Sequence, residues 1–186
     1  MAFLPLFDSF PNEAALIGRL VAGYGSLETD LMLCVLVAKR DFDPVIKTMF
    51  RPRGETQRLD IADALGRPSF KKFWRETEFG MAIGAIRHCL KIRNQNAHSY
   101  FGEAKSGKLA FDSMEDVAKS PDPSDFSSIT LLNIDEALLH EQLAYFEYAE
   151  AWLHFLLAEV EVIGKTPKAK LFPRPKPLVP VPLHIS

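Results

Sequence analysis

The chain has 186 residues, of which 47% are hydrophobic and 25% are charged, and its formal net charge is -2. This length and composition suit one hydrophobic core, so a single globular domain is expected over 1–165. The slight negative charge argues against a protein that binds nucleic acid through its overall charge. No apolar run reaches the roughly 18 to 20 residues that span a bilayer, and the N-terminus lacks the basic start of a signal peptide. A cytoplasmic location is therefore expected.

Hydrophobic periodicity, capping residues and prolines predict a helical body for most of the chain. Gly23 and Gly25 weaken the first helix without ending it. Asp43 followed by Pro44 is typical of a helix start, because a capping residue then precedes a proline in the first turn. The expected helices run over 11–39, from Asp43, over 56–65, from Ser69 onward, and from about Phe79 to His98.

The segment before the last helix loses the helical period. Lys105-Ser106-Gly107-Lys108 is a turn signal between 100–104 and 108–111, which are expected to pair as a β-hairpin. A further short strand is expected over 128–132. The predicted fold class is therefore all-α, a bundle of four to six helices with a small hairpin and loop insertion over about 99–132.

The C-terminal part is expected to be a long helix followed by a proline-rich tail. Asn133 followed by Glu136 matches a capping box, which predicts a helix over 135–163. From Thr166 onward prolines recur, so 166–186 is expected to be extended and non-helical. A disordered tail and an arm that packs on a partner subunit both fit this composition.

Neither cysteines nor histidines show the spacing of a metal site. Cys34 and Cys89 lie in apolar helical contexts, so buried free thiols are expected. His88, His140 and His154 lack a ligand pattern, apart from the ordinary surface spacing of His140 and Glu136. The chain also lacks a Gly-rich phosphate loop and a recognisable nucleophile motif. No cofactor and no metal are expected.

Charge is unevenly distributed along the chain. Residues 39–93 carry 13 Lys/Arg against 7 Asp/Glu. This basic segment fits an electrostatic footprint for phosphates, and it fits equally well a set of solvated helix faces. Its charges include Arg51, Arg53, Arg58, Arg67, Lys71, Lys72, Arg75, Arg87 and Lys91.

The run Arg93-Asn94-Gln95-Asn96-Ala97-His98 ends an apolar helix. At 100° per residue, Arg93 projects from the middle of the apolar side. A guanidinium there cannot lose its charge, so it needs an anionic partner, a cleft or an interface. Glu28 projects in the same way from the first helix, and it is predicted to contact Arg93. A pair that only fixes helix packing is the alternative. The expected apolar side consists of Phe79, Ala82, Ile86, Cys89, Leu90 and Ala97.

Arg93-Asn94, three further residues and then His98, at the end of a helix in an all-α chain, resemble the motif of the HEPN superfamily. That motif is an arginine, four to six residues, then a histidine, often with a polar residue directly after the arginine. The resemblance covers about 12–163. It implies a helical bundle that dimerises with its motif helices facing each other, and in many members a metal-independent endoribonuclease. Such proteins are common as toxins of toxin–antitoxin or defence systems, sometimes paired with a minimal nucleotidyltransferase.

The interpretation of the protein as a ribonuclease gives each motif residue a role. His98 acts as general base or acid near neutral pH, Arg93 stabilises charge on the phosphate, and Asn94 orients His98 or binds the phosphate. His98 lies about 140° around the helix from Arg93, so a two-fold dimer is expected to complete the site. Supporting roles fall to Glu28, which holds Arg93, and to Arg87 and Lys91, which bind RNA phosphates. The alternatives are a non-catalytic HEPN-like interaction or nucleotide-binding protein, and a helical protein whose motif is accidental.

Overall fold

The computed structural model describes residues 5–113, 118, 131–162 and 172–185. These residues are mostly helical and include a small sheet, as the sequence predicts at this level. The elements are a 3-10 helix (Pro5–Asp8), α1 (Pro11–Lys39), α2 (Phe42–Phe50), α3 (Glu55–Lys72), α4 (Glu76–His98), β1 (Ser99–Glu103), β2 (Leu109–Ser113), β3 (Leu132–Asn133) and α5 (Glu136–Val162).

The chain divides into two compact units. Unit 1 comprises Met1–Ala22, Lys91–Ala144 and Val181–Ser186, and unit 2 comprises Gly23–Leu90 and Tyr145–Pro180. Unit 1 therefore contains the motif and the sheet, whereas unit 2 contains α2 and α3. Both units take residues from the proline-rich tail.

The first helix continues through Gly23 and Gly25, as expected. Its buried residues recur every three or four positions and so share one face of the helix. They are Leu16, Ile17, Leu20, Tyr24, Leu27, Leu31, Cys34, Val35 and Ala38. By length and composition α1 is also apolar enough to cross a membrane, contrary to the expectation that no segment is. Core helices of globular proteins meet the same two criteria.

The break expected between residues 65 and 69 does not occur. A single helix, α3, includes Pro68. Proline in a helix interior removes one backbone hydrogen bond, so something must offset that loss. Phe70 is fully buried and stacks on Phe79 with ring centroids 4.4 Å apart. This packing holds the turn that follows Pro68.

Two helix starts differ from the predicted ones. α2 begins at Phe42, so Asp43 lies in its first turn and not at its cap. At the start of α5, the backbone N–H of Leu138 donates to Asp135 Oδ1 at 3.0 Å, so Asp135 is the capping residue. Asn133, the predicted cap, lies in β3 instead. Pairing with β2 fixes its backbone in an extended conformation.

The predicted hairpin is confirmed, and a third strand extends it. β1 and β2 pair antiparallel with Phe101 opposite Phe111, and the strand order is β1-β2-β3. Gly107 in the turn has a φ of 75°, which glycine adopts without a steric penalty from a Cβ. Of the strand expected over 128–132, the end is seen in β3, and 128–130 lie outside the described residues.

The described part of the tail is non-helical, as expected, and it packs on its own chain. In unit 1, the side-chain amides of Gln95 and Gln142 donate to the carbonyl oxygen of Leu183 at 2.7 and 3.2 Å. The N–H of Ile185 donates to Asn133 O at 2.9 Å. Because Gln142 is fully buried, its bonds to the tail satisfy its NH2 group, which would otherwise be costly to desolvate.

The contact between α3 and the Phe79 ring can be tested through Gly66. A Cβ at Gly66 would lie 2.5 Å from Phe79 Cζ. That ring is fully buried and stacked, so Gly66→Ala is expected to lower the free energy of unfolding by about 1–3 kcal/mol. Urea unfolding measures the change. Gly84→Ala is the matched control, because a Cβ there meets nothing within 4 Å and should stabilise α4 by about 0.5–1 kcal/mol. Equal effects of the two substitutions would contradict this packing.

Candidate active site

The last turns of α4 present a different face to the core than the sequence suggests. Ile92 and Asn96, four residues apart on one side, are buried, whereas Arg93 is only half-buried. Ala97 and His98 are exposed, so the placement of Ala97 on the apolar side is wrong. The helix continues directly into β1 after His98. At this junction the side of the helix that faces the core is the one that carries Ile92 and Asn96. The rest of the predicted apolar side is confirmed, with Phe79, Ala82, Ile86, Cys89 and Leu90 buried.

The structure brings Arg93, Asn94 and His98 together within one chain. Arg93 Nη1 donates to Asn94 Oδ1 at 2.9 Å and lies 3.5 Å from His98 Nε2, at the outer limit for a hydrogen bond. The long arginine side chain thus spans the 140° that separates the two positions on the helix. The half-buried guanidinium of Arg93 can hold a phosphate oxygen. The exposed imidazole of His98 beside it can take or give a proton.

Glu28 forms an ion pair that the sequence reasoning missed. Its Oε2 lies 3.1 Å from Arg58 Nη1, within unit 2. Arg58 Nε also donates to Pro52 O at 3.0 Å, and its guanidinium carbon lies 5.5 Å from the centre of the Phe50 ring. A half-buried carboxylate is thus matched by a positioned arginine. The predicted contact of Glu28 with Arg93, a unit 1 residue, stays a prediction. No local signal distinguishes Arg58 from the other arginines of the basic segment.

The two predicted phosphate-binding residues have different surroundings. Arg87 Nη2 lies 2.7 Å from Asp60 Oδ1, so this carboxylate offsets its charge. Lys91 is exposed, and no ion pair reaches it from the described part of the chain. Of the nine basic residues named above, four form ion pairs with residues that the structure describes: Arg58 with Glu28, Arg67 with Asp63, Arg75 with Glu159, and Arg87 with Asp60. For those four, structural pairing accounts for the charge.

Two further residues near the motif in sequence were not singled out. Asn96 is 5% exposed, and neither atom of its side-chain amide has a hydrogen-bond partner among the described residues. Tyr100 follows His98 by two residues in β1 and is 69% exposed. An exposed aromatic ring is a surface on which a nucleobase can stack.

The expectation of two buried free cysteines is confirmed. Burial raises the pKa of both thiols, and it is the largest cause in each case. Cys34 Sγ also donates to Leu153 O at 3.3 Å. Because the thiolate is the reactive form, neither Cys34 nor Cys89 is suited to nucleophilic chemistry.

Comparisons of the chain with models of known protein families, with curated proteins and with solved structures found no match. The case for a function therefore rests on the geometry of Arg93, Asn94 and His98.

Proposed function

We propose that the protein is a metal-independent endoribonuclease of the HEPN type that cleaves RNA by attack of the ribose 2′-hydroxyl. The observation that carries this proposal is the 3.5 Å separation of Arg93 Nη1 and His98 Nε2, with the imidazole exposed to solvent. This cleavage requires a fixed cation and groups that take and give a proton, and Arg93 and His98 supply the cation and one such group.

The reaction can be written with these groups. The 2′-oxygen attacks phosphorus while the bond from phosphorus to the 5′-oxygen breaks, which leaves a 2′,3′-cyclic phosphate and a 5′-hydroxyl. His98 takes the proton of the 2′-hydroxyl or gives one to the 5′-oxygen, and Arg93 donates to a phosphoryl oxygen as its negative charge grows. Asn94 holds Arg93 Nη1 through the 2.9 Å hydrogen bond.

A homodimer through the end of α4 belongs to the same proposal. One imidazole cannot act as base on one side of the phosphorus and as acid on the opposite side at the same time. A two-fold axis beside the exposed Ala97 and His98 supplies a second imidazole. The role as a toxin and an antitoxin such as a minimal nucleotidyltransferase rest on the resemblance to the HEPN superfamily.

Lys91 and Tyr100 complete the proposed RNA surface. Both side chains are exposed in unit 1, and both lie within two residues of the motif in sequence. Lys91 contributes charge toward the RNA backbone, and Tyr100 offers a ring for base stacking. Arg87 contributes less than expected, because Asp60 offsets its charge.

RNA cleavage by the purified protein in EDTA tests the proposal. His98→Ala and Arg93→Ala are each expected to lower kcat by about a hundredfold or more, because each removes a group that acts in the transition state. Arg19→Ala and His140→Ala, which change exposed residues far from the motif in sequence, should retain full activity. Products should end in 2′,3′-cyclic phosphate, and RNA with 2′-O-methyl groups should resist cleavage. No cleavage by the wild-type protein, or equal cleavage by all variants, would contradict the proposal.

The second candidate is a non-catalytic interaction protein of the same helical class. It is favoured by one observation: Gln95, inside the motif, holds the carbonyl oxygen of Leu183 in the tail, so part of the motif already serves the packing of the chain. In that case the motif has a structural role, and substitution of its residues lowers the free energy of unfolding.

Thermal and urea unfolding separate the two candidates. Because His98 is exposed, His98→Ala is expected to change the free energy of unfolding by no more than about 0.5 kcal/mol if its role is catalytic. Gln95→Ala removes a half-buried hydrogen bond and should cost about 0.5–1.5 kcal/mol. A loss for His98→Ala as large as that for Gln95→Ala would favour the structural role.

A further inference from the structure

A cluster of three side chains lies within unit 2. Asp30 is on α1, and Glu150 and His154 are four residues apart on α5, so both α5 side chains leave the helix on one side. One oxygen or nitrogen atom from each of the three lies within 4.8 Å of the other two. All three side chains are half-buried.

The rest of the described chain supplies no hydrogen-bond or ion-pair partner for the three side chains of this cluster. No hydrogen bond or salt bridge within 4.0 Å joins Asp30, Glu150 or His154 to a described residue. Burial raises the pKa of the Asp30 carboxyl, and the nearby His154 opposes that shift. Two carboxylates close together in a half-buried position repel each other, so a cation between them would be favoured.

The side chains of the cluster stand on two helices that are packed against each other. Near Asp30, Cys34 Sγ on α1 donates to Leu153 O on α5 at 3.3 Å. The ring of Phe172, from the tail, lies with its centroid 5.3 Å from that of His154 and limits the movement of the imidazole. Positions on rigid elements hold metal ligands more tightly than loops do.

We propose that Asp30, Glu150 and His154 bind a divalent first-row transition-metal ion, with Zn²⁺ as the best fit. Carboxylate oxygens and an imidazole nitrogen are ligands that Zn²⁺ takes at about 2.0–2.2 Å, in a tetrahedral site whose fourth position is open to water. Side-chain rotations that move the three atoms by between a fraction of an ångström and about 1.5 Å bring them to the separations that these bond lengths require. The imidazole favours such an ion over Mg²⁺, which prefers oxygen ligands and its own water.

The expectation that His154 lacks a ligand pattern is thereby revised. Glu150 and His154 alone have the ordinary i,i+4 spacing of a surface pair, and the third ligand is supplied by α1, far away in sequence. The ion would join α1 to α5 within unit 2. This site is independent of the proposed ribonuclease chemistry, which needs no metal.

Metal titration of the tag-free protein tests the site. After removal of metal with EDTA and dialysis, Zn²⁺ is titrated by calorimetry, and Co²⁺ is followed by its visible absorption. One bound ion per chain and a rise in Tm with Zn²⁺ are expected. His154→Ala and Asp30→Asn should each weaken binding by about tenfold or more, since removal of a ligand costs at least as much as removal of its supporting contacts.

The double variant Glu136→Gln/His140→Ala is the matched control. It removes an exposed i,i+4 glutamate and histidine pair from the same helix, a pair that lies outside any group of three ligands in the described chain. This control should bind as the wild-type protein does. Circular dichroism checks the fold of each variant, and Asp30→Asn preserves the shape of the side chain if His154→Ala fails to fold. The proposal is overturned if the wild-type protein binds no ion, or if binding is lost only in the control.

Discussion

The main constraint on the arrangement of side chains is that half-buried charged groups need a compensating group nearby. Glu28 is matched by Arg58, and Arg75 is matched by Glu159. Each pair joins segments that are far apart in sequence, and the loss of one member would remove a charge that compensates the other. The same constraint marks Asp30, Glu150 and His154, where two acidic groups and an imidazole approach one another without any direct bond. The proposed metal ion compensates the two carboxylates there, as an arginine compensates Glu28 and Glu159.

The proposed ribonuclease chemistry places a different requirement on the motif at the end of α4. A catalytic imidazole must be reachable by substrate, and the cation beside it must be held still. The transition from α4 to β1 meets both needs, because His98 is exposed at the last helical position while Arg93, more than one turn earlier, is half-buried and bonded to Asn94. The tail occupies another side of the same helix through Gln95. Packing and proposed chemistry thus use different residues of one short segment.

Elements with strong local signals were predicted well. The long α1 and α5 and the hairpin around Gly107 follow from periodicity and turn chemistry, which depend on neighbours in sequence. The errors arise where distant contacts outweigh local preference. Pro68 stays inside α3 because Phe70 packs on Phe79, and Asn133 joins the sheet and leaves the helix cap to Asp135.

The candidate site shows the same difference between what local sequence determines and what distant contacts determine. The residue types and spacing of Arg93, Asn94 and His98 are a property of the chain, and so is their position at the end of an apolar helix. Helical periodicity alone misplaced Ala97, because the direction that faces the core depends on which elements pack there. The approach of the Arg93 guanidinium to His98, the partner of Glu28, and the meeting of Asp30 with α5 depend on side-chain rotamers and on contacts between segments far apart in sequence. Those distances are decided only when the helices pack.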